Sequence, residues 1–216
     1  DHRRFKSGSR DWYWQIQGHI PTIAKANQVG LIDFHEKLFH RPELFPDALH
    51  PTKEGAAILA QTVYENITQD FGGLKLASPF SDNMVLQRNK PIVVYGTANG
   101  GDLVEIIFNQ QKSTAIVDKF GKWKVSFPAL SSGGTYQMTI QSNKKEIILK
   151  NIVIGDVWFC SGQSNMAFEL KKSQNGKEEV KQAIANSPIR LFNSKNLRDT
   201  DDTAWDSISM AKTNQL

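Results

Sequence analysis

The stretch Lys122-Trp123-Lys124-Val125-Ser126-Phe127 alternates polar and apolar residues one for one. Tyr136-Gln137-Met138-Thr139-Ile140-Gln141 repeats the pattern further on. Successive side chains on a strand point to opposite faces, so each stretch predicts a strand with one buried and one wet face. Val85-Leu86, Ile92 to Tyr95, Val104 to Phe108 and Ile147 to Leu149 supply further strands, and Asn99-Gly100-Gly101, Phe120-Gly121 and Gly133-Gly134 supply turns. About six to eight short strands at this spacing predict a small β-sandwich over residues 74–153.

The character changes on both sides. Upstream, in residues 1–73, Trp12, Ile16, Ile20 and Ile23 keep near-helical spacing, and Pro21 predicts a break or a fresh helix start. Gly30-Leu31-Ile32-Asp33-Phe34 reads as a short buried strand, and the proline-rich run from Arg41 to Pro51 as a loop. Ala56, Leu59, Ala60, Val63 and Ile67 then line one face of a helix that Pro51 and Thr52 open. Gly72-Gly73 is the expected hinge. Downstream, in residues 154–216, Val157 to Cys160 reads as an apolar strand with Cys160 buried, and Glu178 to Ala185 as a helix. The fold class is therefore α/β plus all-β, with α/β pieces flanking the sandwich.

Composition sets the bounds. At 216 residues the chain exceeds one domain of about 150 and falls short of two complete α/β enzymes. It is 39% hydrophobic and 22% charged, which is globular rather than disordered. No apolar run reaches the roughly 18 residues of a membrane span. The net charge of +4 is spread along the chain and gives no footprint for nucleic acid. One cysteine forms no internal disulfide. All five histidines lie in the first 50 residues; His35 and His40 lack ligand-like spacing with any cysteine or carboxylate cluster, so no metal is argued and no cofactor is expected.

Two constellations carry chemistry. The first is Asp47-Ala48-Leu49-His50-Pro51, in a loop that opens a helix. A serine hydrolase needs an imidazole to take the nucleophile's proton and a carboxylate to fix its tautomer. Spacing of three in a turn brings the carboxylate to Nδ1 and leaves Nε2 free. The same spacing equally fits a surface Asp and His ahead of a helix. The second is Gly162-Gln163-Ser164-Asn165-Met166 after an apolar run. A strand–turn–helix exposes a serine hydroxyl and sets backbone N–H groups where an oxyanion develops. Met166 replaces the second glycine of G-x-S-x-G, and a plain polar turn with Ser164 or Asn165 as N-cap fits as well. Trp12, Tyr13 and Trp14 fit a sugar platform or a core, and an exposed Trp123, Phe127 and Tyr136 would make a glycan-binding face.

The run Gly155-Asp156-Val157-Trp158-Phe159-Cys160-Ser161-Gly162-Gln163-Ser164-Asn165-Met166 resembles the nucleophile block of the sialate O-acetylesterase family. Phe80-Ser81-Asp82-Asn83-Met84-Val85-Leu86-Gln87-Arg88 and Gly121-Lys122-Trp123 resemble that family's N-terminal β-domain. The resemblance implies an SGNH-type, flavodoxin-like hydrolase with Ser164 as nucleophile, its N–H an oxyanion donor, and Gly162, Gln163 and Asn165 shaping the turn. Asp47, His50 and Pro51, with Gly55-Ala56-Ala57 behind them, resemble the closing Asp-x-x-His-Pro block of a GDSL-type SGNH esterase. The first piece lacks its serine block and the last lacks its Asp-x-x-His. The expectation is an internal piece of a tandem, secreted or periplasmic carbohydrate esterase, acting on O-acetylated sialic acid or glycans such as xylan and weakly active or inactive alone. The alternative is a non-catalytic glycan-binding or structural module centred on the sandwich.

Overall fold

The fold is that of a computed structural model, which describes residues 9–39, 41–162, 168–182, 189–192 and 205–207. The chain divides into two compact units, Asp1–Asp70 and Phe71–Leu216.

The first unit is helical. Helix α1 (Ser9–Ala26) runs straight through Pro21, so the expected break does not occur. A proline costs one backbone bond there, and the remaining turns carry the helix past it. Residues 29–34 form no strand. Leu31 and Ile32 instead line an open groove of about 370 Å³ with Ile20, Phe34, Leu38 and Phe39. Helix α2 (His35–Leu38) and a 3-10 turn at Pro42–Leu44 lead to α3 (Lys53–Thr68), which starts at the expected place. Its buried positions are Gly55 and Thr62, whereas Ile67, expected on the inner face, is 71% exposed. Periodicity marked an apolar stripe, but burial also needs an opposing surface.

The second unit is built on two sheets. One has the order β1 (Lys75–Leu76), β3 (Ile92–Thr97), β6 (Lys122–Phe127). The other has the order β2 (Val85–Gln87), β8 (Lys145–Gly155), β7 (Gly133–Ser142), β4 (Leu103–Phe108), β5 (Gln111–Ile116). Alternate residues of both sheets enter one core: Ile92 and Val94; Val104, Ile106 and Phe108; Trp123, Val125 and Phe127; Met138 and Ile140; Leu149, Ile152 and Ile154. The alternation quoted above is thus the inner face of this core. Phe108 meets the Phe127 ring at 5.7 Å and the Tyr136 ring at 5.6 Å.

Three features depart from the expected strand plan. The hairpin β4–β5 turns on Asn109 and Gln110, both left-handed at φ 47° and 60°. That geometry usually takes glycine, so its Asn-Gln sequence hid it. Gly133-Gly134 is not a turn but the start of β7, where the register to β8 shifts. Inward parity in β8 flips between Leu149 and Ile152, and the left-handed Asn151 (φ 56°) absorbs the extra residue. Strand β2 pairs parallel to β8, with Val85 opposite Val153.

Helix α4 (Gly176–Gln182) occupies the first part of the helix expected at 178–185; residues 183–188 lie outside the described residues. Strands β9 (Arg190–Phe192) and β10 (Trp205–Ser207) pair antiparallel. Among the described residues no helix is long and apolar enough to cross a membrane.

Candidate active site

The Asp47–His50 loop is folded around one carboxylate. Ala48 N–H donates to the Phe45 carbonyl at 2.9 Å, and Ala48 itself is left-handed at φ 64°. This turn carries the chain back over Asp47. The Leu49 and His50 N–H groups then donate to Asp47 Oδ1 at 3.0 and 2.7 Å. The other oxygen, Oδ2, lies 2.6 Å from His50 Nδ1. An ionised carboxylate only accepts hydrogen bonds, so Nδ1 carries the proton and Nε2 keeps its lone pair in the neutral ring. Among the described residues Nε2 has no hydrogen-bond partner, and the imidazole is 82% exposed. The two side chains and the Leu49 and His50 amides form one hydrogen-bonded assembly.

Packing at the helix start holds this loop. The Thr52 N–H donates to the Leu44 carbonyl at 2.7 Å, and Thr52 Oγ1 caps α3 by accepting from Gly55 N–H at 3.1 Å. Arg41 reaches Glu43 at 3.1 Å and Glu54 at 2.6 Å, joining the 3-10 turn to the first turn of α3. A Cβ on Gly55 would meet Pro51 Cβ at 3.1 Å and the Leu44 carbonyl oxygen at 3.3 Å. Gly55→Val is therefore expected to push Pro51 and the adjoining His50 outward. NMR would show the loss as weaker coupling between His50 and Asp47.

The pair shifts both protonation equilibria. The hydrogen bond to His50, then the two amides, hold the Asp47 carboxyl well below its ordinary 3.8. The same hydrogen bond and the Asp47 charge raise the His50 imidazolium above its ordinary 6.5. Stability from the raised His50 is fully present below the unfolded value near 6.5 and is lost as pH rises through the folded one. Stability from the lowered Asp47 is present above 3.8 and is lost as pH falls through its depressed value. An NMR titration of the His50 ring is expected to show a midpoint above 6.5, with Asp47→Asn bringing it back toward that value.

The second constellation begins where β8 ends. The Arg88 N–H donates to the Gly155 carbonyl at 2.8 Å, Arg88 Nε donates to Asp156 Oδ1 at 2.8 Å, and the Val157 N–H donates to Gln87 Oε1 at 2.9 Å. Beyond that point the expected strand at 157–160 is absent. Trp158 is 84% and Phe159 92% exposed, and Cys160, expected to be buried, is exposed. An apolar run becomes a buried strand only beside partner strands, and among the described residues none flanks it. Gly162 is exposed; Gln163, Ser164 and Asn165 lie outside the described residues. Asp47 and His50 are thus brought together, whereas of the expected nucleophile stretch only Gly162 lies among the described residues. The roles of Gln87 and Arg88 in holding Gly155 to Val157 went unread in the sequence, although both stand in the Phe80–Arg88 block.

The proposed sugar-binding face is corrected. Trp123 and Phe127 are buried in the core and Tyr136 is half-buried against Phe108. The side chains of Trp12, Tyr13 and Trp14 lie outside the described residues.

No family model matches the chain. Known proteins do align with it. The sialate O-acetylesterase of Rattus norvegicus is 27% identical over 152 residues, 62% of this chain and 28% of that protein. The Mus musculus enzyme of the same name is 28% identical over 131 residues, 56% of this chain and 24% of that one. A carbohydrate acetylesterase from Xanthomonas citri superposes with a TM-score of 0.58 at 28% identity, covering 65% of this chain and 34% of that structure. Over this span the chain is similar to sialate O-acetylesterases and to a carbohydrate acetylesterase. The matched span covers about a quarter to a third of the length of these relatives.

Proposed function

We propose that the chain is part of a serine-dependent carbohydrate O-acetylesterase, with Ser164 as the nucleophile of the sialate O-acetylesterase segment. The family likeness carries this reading. The Ser164 hydroxyl attacks the acetyl carbonyl while an imidazole takes its proton. The tetrahedral oxyanion is held by the Ser164 N–H and its neighbours in the Gly162–Asn165 turn. The sugar oxygen leaves with the proton from the imidazolium. Water then attacks the acetyl-serine, and acetate leaves.

The reading extends to the first unit. Asp47 and His50 are the orienting acid and base of a GDSL-type SGNH module, supported by the carboxylate on Nδ1 and the open Nε2. Residues 1–73 then close one esterase module and residues 154–216 open another, with the two-sheet unit between them as a β-sandwich support. Each triad is completed within a longer, exported polypeptide, and these 216 residues alone turn over little substrate. With Trp123 and Phe127 in the core and Tyr136 half-buried against it, structural support is favoured over glycan binding by that unit.

The test is acetate release from O-acetylated sialic acid and from acetylated xylan by the complete polypeptide that the gene encodes, with Ser164→Ala beside it. Release that persists in the variant, or a reading frame with no serine block upstream and no Asp-x-x-His downstream, overturns the proposal.

A further inference from the structure

We propose that Gln87, Arg88 and Arg190 are positioning residues that pin both ends of the segment carrying the Gly162–Asn165 turn to the β2–β8 edge. The proposal rests on the reading of Ser164 as nucleophile.

At the upstream end, three hydrogen bonds from Gln87 and Arg88 fix Gly155, Asp156 and Val157 in sequence. They set the direction in which the chain leaves β8. At the downstream end, Arg190 returns to the same edge. Its Nη1 donates to the carbonyls of Asn83 (2.9 Å) and Met84 (3.4 Å) and to that of Asn151, and its Nη2 donates to Asn151 Oδ1 at 3.0 Å. A planar guanidinium with five donors suits this set of acceptors, and a lysine ammonium does not. The acceptors are themselves held. Asn83 and Asn151 are both left-handed, at φ 64° and 56°, and Asn151 Nδ2 donates to Asn83 Oδ1 at 2.6 Å. Asn83 N–H donates to the Lys150 carbonyl at 3.0 Å, and Lys150 N–H to Asp82 Oδ1 at 2.7 Å. Met84 and Ile152, beside these anchors, are fully buried in the core. The chain is therefore held to this edge at Gly155 to Val157 and again at Arg190.

The contacts are suited to direction rather than to stability. The Arg88–Asp156 pair is about half exposed on both sides, and such pairs add little to folding. Removing it is expected to leave the core folded and the turn loosely aimed.

The chain's single cysteine, Cys160, is exposed and lies three residues past Val157. A nitroxide attached there reports the order of the segment. Arg88→Ala and Asp156→Ala are each expected to raise the mobile fraction of its spectrum about twofold, with a thermal midpoint within about 4 °C of the parent. The exchange Arg88→Asp with Asp156→Arg is expected to restore the parent spectrum. In the complete polypeptide, Arg88→Ala and Arg190→Lys are expected to lower kcat about tenfold or more while KM stays within about twofold. Unchanged label spectra, a restored spectrum that fails to appear in the exchange, or a change in KM with kcat intact overturns the proposal. Ser164→Ala separates the two readings. Full activity in that variant with a loosened label removes the nucleophile assignment and leaves the anchoring. Lost activity in it, with Arg88→Ala unaffected in both label and kcat, does the reverse.

Discussion

Ser164→Ala is expected to lower kcat for acetate release from O-acetylated sialic acid by about 10⁵- to 10⁶-fold. The size follows from what the hydroxyl does. In the proposed mechanism it forms the acetyl-serine bond, and Ser164 carries the one side-chain hydroxyl in the sequence from Gly162 to Asn165. Removing it leaves oxyanion stabilisation and binding, which together still give some rate over water. KM should move little, because the serine bonds to substrate only as the reaction proceeds. Steady-state kinetics on the complete polypeptide gives both numbers. Activity of the parent should rise with pH as the base loses its proton. For a base held as His50 is, that rise lies above 6.5, because the Asp47 charge favours the imidazolium.

Phe108→Ala is expected to be the most damaging change in the two-sheet unit, at about 3–5 kcal/mol. Phe108 is 1% exposed, sits on the interior strand β4, and touches Phe127 from the other sheet. Truncating it removes the contact that joins the sheets and leaves a cavity that rigid strands close only in part. The thermal midpoint should fall by more than about 10 °C. Denaturant unfolding followed by Trp123, which lies in the same core, reads the loss directly.

Strands β3, β4, β6 and β7 were legible because alternate residues of each are buried. Trp123, Val125 and Phe127 announce β6 through strict alternation, and all three enter the core. Strand β5 was not legible. Its residues, Gln111 to Ile116, form a sheet edge with no fully buried position, so no apolar period marks it. The helix behind His50 could be read from its cap and its spacing, but its inner face could not. Ile67 has the right phase and remains in solvent. Of the candidate site, the Asp47–His50 pairing follows from spacing in a turn and is present to the atom. The roles of Arg88 and Arg190 were beyond sequence reading, because their partners are set by the register of β2 against β8 and by a bulge at Asn151.

The parallel pairing of β2 with β8 has a consequence for assembly. Asp82, Asn83, Arg88 and Gln87 contact partners 68 to 70 positions further along the chain. Contacts that close such long loops form late, after the local hairpins have paid the entropy of bringing the ends together. During synthesis β2 leaves the ribosome first and waits, unpaired, until every intervening strand has emerged. The segment proposed to carry the nucleophile follows β8 directly. The β2–β8 edge is thus completed as that segment begins to appear, and a stall or cut within the hairpins would leave Gly155 to Val157 without the Gln87 and Arg88 contacts.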